Sequence, residues 1–173
     1  MIIRIGEIAD ARKVAELHVA TWKEAYRGMV PDAYLQSRSV EKRELAWRES
    51  LEKKLSELWV ASDDTSELVG FVSFGDRRDA DKTGSFGELI SLYVLHKYWS
   101  CGIGRALWLT ARDRLIERGY KEVTVWCLAG NHRAERFYQA AGFLPTNATL
   151  KVTFGDVILD ELQYLAFLTA NYN

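Results

Sequence analysis

Tyr98-Trp99-Ser100-Cys101-Gly102-Ile103-Gly104-Arg105-Ala106-Leu107 follows the apolar run Leu89-Ile90-Ser91-Leu92-Tyr93-Val94 and opens a segment of helical periodicity. A strand that enters a glycine-containing turn at a helix start leaves several backbone N–H groups without acceptors. They point outward, and the helix dipole adds positive character, so such a turn takes phosphate oxygens. Apolar or small positions at Ile103, Ala106, Leu107, Thr110, Ala111 and Leu115 carry the helix onward, and Gly119 closes it.

Working outward, Glu88 to Val94 reads as a central strand, and Glu122 to Leu128 as another. Asn131 starts a second helix, through Ala141, that Gly142 ends. Upstream, Ile2 to Ile5 is a short strand. Asp10 is placed to cap a helix through Val14, Leu17, Thr21, Trp22 and Ala25, which Gly28 and Pro31 break. Ser39 caps a further helix with Val40, Trp47, Leu51 and Leu55 on one face. Leu58 to Ala61 and Leu68 to Phe74 form a hairpin around Asp63-Asp64-Thr65-Ser66. Leu144 to Phe154 and Val157 to Phe167 form the last hairpin, turning at Gly155-Asp156. Gly75 to Gly84 is polar loop. This order predicts one domain over residues 1–173, a mixed sheet flanked by helices, of the α/β or α+β class.

Bulk composition narrows the function classes. A chain of 173 residues with 48% hydrophobic and 27% charged residues fits a single soluble domain. The net charge of -1 gives no electrostatic footprint for a nucleic-acid partner. No apolar run approaches the ~18 residues of a membrane span. No signal-type apolar region follows Met1, and Cys101 and Cys127 match no metal spacing, so a cytoplasmic protein with reduced thiols and no metal is expected. His18, His96 and His132 have no ligand partner at helical or hairpin spacing and are expected to be structural or solvated.

Besides a plain tight turn, three phosphate ligands compete for Gly102-Ile103-Gly104. A Walker loop needs Gly-x4-Gly-Lys-Ser/Thr, which is absent. A dinucleotide fingerprint needs a third glycine where Leu107 stands, and an acid where the next strand ends at Ala129-Gly130. The third is the pyrophosphate of coenzyme A. The second constellation bears on the choice: in Asn131-His132-Arg133-Ala134-Glu135-Arg136-Phe137-Tyr138-Gln139-Ala140-Ala141-Gly142-Phe143, Asn131 and Tyr138 are two helical turns apart and share a face.

Together these stretches resemble the GNAT superfamily of acetyl-CoA-dependent N-acetyltransferases, with its signatures Gln/Arg-x-x-Gly-x-Gly/Ala and Asn-x-x-Ala-x-x-Phe-Tyr-x-x-x-Gly-Phe. The second is matched at every named position. The first is matched at Gly102 and Gly104, with Trp99 where Gln or Arg is frequent, and with Ser100 and Cys101 where Gly and a basic residue are common. The resemblance implies a mostly antiparallel, twisted sheet of about seven strands flanked by about four helices, splayed at the cofactor site. It implies acetyl-CoA as co-substrate, paired through the backbone of Leu92, Tyr93 and Val94. The N–H groups of Trp99, Ser100, Cys101, Gly102, Ile103, Gly104 and Arg105 would take the pyrophosphate, with Asn131 as a polar contact.

The same resemblance implies direct acetyl transfer to a primary amine, a small molecule or a peptide N-terminus. Glu88 aligns with the family's base, Tyr138 with the acid that protonates the thiolate, and the N–H of Val94 or Tyr93 faces the oxyanion. Trp22, Tyr26, Met29 and Tyr34 would wall the acceptor site, and the loop Asp76-Arg77-Arg78-Asp79 is expected to be solvated. The final hairpin would allow a homodimer. A non-catalytic acyl-CoA-binding module, or transfer of another acyl group, is the alternative.

Overall fold

The computed structural model describes residues 1–77 and 86–168. The expected loop therefore lies partly outside the described residues, Arg78, Asp79 and Gly84 included. Seven strands form one sheet: β1 (Ile2–Ile5), β2 (Glu57–Ser62), β3 (Leu68–Asp76), β4 (Phe86–Val94), β5 (Glu122–Leu128), β6 (Leu144–Phe154) and β7 (Val157–Phe167). Five α-helices accompany it: α1 (Ala11–Ala25), α2 (Asp32–Gln36), α3 (Val40–Glu52), α4 (Ile103–Glu117) and α5 (His132–Ala140). The fold is thus the mixed α/β architecture expected, with one short helix more, because Asp32–Gln36 closes its own turn after Pro31. None of the described helices is long and apolar enough to cross a membrane.

The strand order is β1-β2-β3-β4-β5-β7-β6. Every neighbouring pair is antiparallel except β4 and β5, which are parallel and joined through α4. A parallel pair needs such a crossover, since a tight hairpin only connects antiparallel strands. Both faces of the sheet are covered. Leu107, Trp108, Ala111 and Leu115 of α4 pack on one face with Val69, Val72, Phe74 and Leu89. Ala11, Val14, Ala15 and Leu17 of α1 pack on the other with Trp47, Val60 and Phe71. β3 is central and buried from Leu68 to Gly75, so it lacks the alternation of a half-exposed strand.

Local signals set the helix starts. Ser39 Oγ accepts from Lys42 N at 3.2 Å, the N-cap expected of it. Asp10 precedes α1, but its carboxylate does not cap that helix. It accepts instead from Arg4 at 2.7 and 2.8 Å and from Glu7 N at 2.9 Å.

Two irregularities in β4 position the site. The first is a bulge: Ser73 faces Ser91 and Phe74 faces Leu89, so Ile90 has no partner on β3. The second is a splay. β4 and β5 are in register only from Phe86↔Glu122 to Leu89↔Val125, and beyond these they part. A bulge bends its strand and increases its twist, so β4 turns away from β5 directly after Leu89.

His18 sits where α1 meets this sheet, its ring centroid 5.0 Å from Tyr93 and 5.3 Å from Phe71. Burial, with a smaller contribution from the Arg38 guanidinium, pushes its pKa down to about 3. Below the ordinary value of about 6.5 the unfolded chain takes up a proton that the folded chain refuses. Stability is therefore expected to fall as pH drops from about 6.5 towards 3, by up to about 1.4 kcal/mol per pH unit. Urea midpoints measured from pH 7 to pH 4 check this, and His18→Leu should flatten the slope.

Candidate functional site

The Gly102 turn is built by backbone conformation. Ser100 has φ 62° and Gly102 φ 81°, both left-handed, and the glycine adopts this at little cost. Gly104 faces α5: a Cβ there would meet the Phe137 ring at 3.4 Å, an ordinary packing contact.

The two helix N-termini beside this turn differ. That of α5 carries a side-chain cap. Asn131 Oδ1 accepts from Ala134 N at 3.2 Å, and Glu135 Oε1 accepts from Gly130 N at 3.1 Å. That of α4 has no side-chain cap and no acidic residue in its first turn. Its outward N–H groups keep their affinity for an anion.

A cleft of about 700 Å³ runs from this turn into the gap between β4 and β5. Ser100, Gly102, Gly104, Arg105, Asn131 and Tyr138 line it, together with Leu92, Tyr93, Val94 and Trp99. The phase of β4 decides which backbone groups face the gap. Leu95 N donates to Val69 O on β3 at 2.9 Å. Tyr93, two residues back, shares that direction, whereas Leu92 and Val94 face the gap. The Val94 carbonyl does so visibly, accepting from Trp99 Nε1 at 2.8 Å. Of the three residues expected to offer backbone groups, Tyr93 contributes its side chain instead: its hydroxyl lies 3.0 Å from that of Tyr26.

A second cleft of about 440 Å³ lies on the α1 and α3 side of the sheet. Glu88, 2% exposed, lines it with Trp22, Trp47, Trp126, Phe154 and Glu161. The bulge at Ile90 is what places Glu88 here. Ser73 and Gly75 share a face of β3, and they pair with Ser91 and Glu88 respectively. Without the extra residue, Glu88 and Tyr93 would point to opposite faces. The two clefts meet, sharing Tyr26, Ile90, Ser91, Tyr93 and Trp126.

Tyr138 is 8% exposed at the inner end of the first cleft. Burial holds its phenol far above the usual range, with Cys127 and Tyr93 adding in the same direction. It stays a neutral proton donor at any ordinary pH. Burial likewise pushes the Cys127 thiol up to about 12.

Other expected residues fall elsewhere. Cys101 is exposed and outside the lining of the first cleft, its Sγ 3.5 Å from Trp99 O. Trp22 and Tyr26 reach the clefts, but Met29 and Tyr34 line neither, and Tyr34 packs edge-on against Phe154 with centroids 5.5 Å apart. The cations of the site were not legible in the glycine signature. Arg105, Arg133 and Arg136 line the first cleft. Among the described residues none of these three has a carboxylate partner, whereas Arg4, Arg12, Arg27, Arg48, Arg112, Arg114 and Arg118 all do. The signal was there in Arg133 and Arg136, one turn apart just after Asn131. Among the described residues, no group of His, Cys, Asp or Glu side chains comes together as a metal site.

The two cysteines should separate by reactivity. An aromatic disulfide reagent at pH 8 is expected to titrate Cys101 rapidly in the native chain and Cys127 only after unfolding. Cys101→Ser should abolish the fast phase, which absorbance of the released thiol records.

The sequence model described as the acetyltransferase (GNAT) family matches residues 19–143. The "Uncharacterized N-acetyltransferase YuaI" of Bacillus subtilis (strain 168) is 31% identical over 138 residues, 80% of this chain and 77% of that protein. Among solved structures, the PaiA N-acetyltransferase of Thermoplasma acidophilum in complex with coenzyme A superposes with TM-score 0.73 at 24% identity, over 93% of this chain and 98% of that one. The yncA acetyltransferase of Salmonella typhimurium with its cofactor acetyl-CoA gives TM-score 0.73 at 23% identity, over 100% and 96%. At these identities the two structures speak to the fold.

Proposed function

The chain belongs to the acetyltransferase (GNAT) family, and from that premise we propose that it transfers an acetyl group from acetyl-CoA to a primary amine by direct attack in a ternary complex. One observation carries the reading: two clefts open on the same gap in the sheet, one leading from an uncapped anion-binding turn and the other from a buried carboxylate.

The residues fit the co-substrate. The turn from Trp99 to Arg105 offers backbone donors to a pyrophosphate, and Arg105, Arg133 and Arg136 add positive charge. Leu92 and Val94 offer the gap-facing groups that an extended pantetheine amide chain would pair with, as an added strand does. The acceptor enters by the second cleft. Its aromatic wall of Trp22, Trp47, Trp126 and Phe154 suits an amine with an apolar body, or a cation held over a ring.

The chemistry divides among three groups. An alkyl amine of pKa ~10.4 is protonated at neutral pH and cannot attack. Glu88 takes its proton, directly or through water. The nitrogen then adds to the thioester carbonyl, whose developing oxyanion the Val94 N–H stabilises. As the C–S bond breaks, Tyr138, kept protonated by burial, gives its proton to the leaving sulfur, and the second proton of the nitrogen passes through water to the phenolate, leaving a neutral amide and restoring the phenol. The products are an amide and free coenzyme A, formed in the cytoplasm. The exposed Leu144, Leu150 and Ile158 of the final hairpin support pairing of two copies there.

Release of free thiol from acetyl-CoA, followed across an amine library, tests the reading. Tyr138→Phe and Glu88→Gln are each expected to lower kcat by about 10²-fold or more, with little change in coenzyme A affinity. Turnover undiminished in Tyr138→Phe would remove the assigned acid. Binding of acetyl-CoA with no thiol release from any amine would leave a binding module.

A further inference from the structure

We infer that Arg133, braced on the face of Trp99, is the side-chain cation that holds the cofactor's pyrophosphate at the glycine turn. This rests on the acetyl-CoA reading above and deepens it. The turn from Trp99 to Gly104 offers backbone donors but no cationic side chain before Arg105.

The structure supplies that charge from another element. The Arg133 guanidinium carbon lies 3.9 Å from the centroid of the Trp99 ring. The ring is itself held twice. Its Nε1 donates to Val94 O at 2.8 Å, and the His96 ring meets it edge-on with centroids 4.5 Å apart. An aromatic face stacked on a guanidinium leaves the N–H donors in the guanidinium plane free to bind oxygens. Arg133 has no carboxylate partner among the described residues. A guanidinium only donates, so it has no capping role toward the N–H groups at the start of its own helix. Both Arg133 and Trp99 line the first cleft, beside the uncapped start of α4.

A planar guanidinium next to outward N–H groups matches two adjacent phosphates better than a point charge does. Trp99 thus serves as a support for a phosphate ligand. It fixes the rotamer of a long side chain on the neighbouring helix, which lowers the entropy lost on binding.

Calorimetric titration of the protein with coenzyme A, 3′-dephospho-coenzyme A and S-acetylpantetheine tests this. Arg133→Ala is expected to raise Kd about tenfold or more for coenzyme A and for its dephospho form alike, and to leave the pyrophosphate-free fragment unchanged. Trp99→Leu should raise Kd by a smaller factor, and the double variant should be no worse than Arg133→Ala, because the two act as one unit. Arg133→Lys should recover only part of the loss. Thermal melts of the free variants serve as the folding control. An unchanged Kd in Arg133→Ala overturns the inference. So does a loss confined to coenzyme A, which would assign Arg133 to the 3′-phosphate. Failure of the unaltered protein to bind coenzyme A at all would overturn the acetyl-CoA reading instead.

Discussion

The site depends on one broken ladder. β4 and β5 hold register for four residues and then separate, with Leu89 and Val125 the last pair. Backbone groups beyond that point lie in the middle of a sheet without a neighbouring strand, and leaving them unpaired away from water is costly. β3 pairs with β4 from Gly70↔Val94 to Asp76↔Gly87, interrupted only by the bulge at Ile90. What the gap offers is a row of oriented donors and acceptors inside a rigid wall, ready for an extended ligand. The turn at Gly102, the aromatic floor under α1 and the phenol of Tyr138 are all arranged around it.

The bulge at Ile90 is the smallest feature with the largest reach. One unpaired residue shifts the side-chain phase of β4, so that Glu88 and Tyr93 share a face although five positions separate them. It also turns the strand away from β5. A buried carboxylate in the second cleft and an open gap beside the first are thus two results of one insertion. Burial then differentiates the titratable groups. His18 stays neutral among aromatic rings, and Tyr138 and Cys127 keep their protons.

Features whose cause is local could be read from the sequence. A left-handed Gly102, a capping Ser39, an Asn131 that closes the first turn of α5 and a Gly119 that ends α4 are each set by residues a few positions apart. The strand order, including the lone parallel pair, was less visible because it follows from which faces find partners. The bulge and the splay were not legible from the residues. An unpaired Ile90 is one apolar residue in an apolar run, and only the register against β3 reveals it. The side chains that cross between elements were missed for the same reason. Arg133 meets Trp99, and Tyr26 meets Tyr93, across separations that no helical or strand period encodes. Of the four residues expected to wall the acceptor site, Trp22 and Tyr26 line the clefts and Met29 and Tyr34 do not, although all four pack on one cluster around Val30, Leu35 and Phe154.

The two clefts share lining residues beside the open ladder, so among the described residues the sheet is a partition with a passage there. One approach lies beside the starts of α4 and α5, and the other lies under α1 and α3. Traffic on one side need not wait for the other: a ligand can leave its compartment while its counterpart stays in place. The passage is rimmed by Tyr26, Tyr93 and Trp126, three large side chains rather than solvent. Water that would compete for a reactive group held in that opening must first displace whatever occupies one compartment or the other. For the acetyl transfer proposed above, selectivity between transfer and hydrolysis would then be a matter of occupancy, set by how fully each side of the partition is filled.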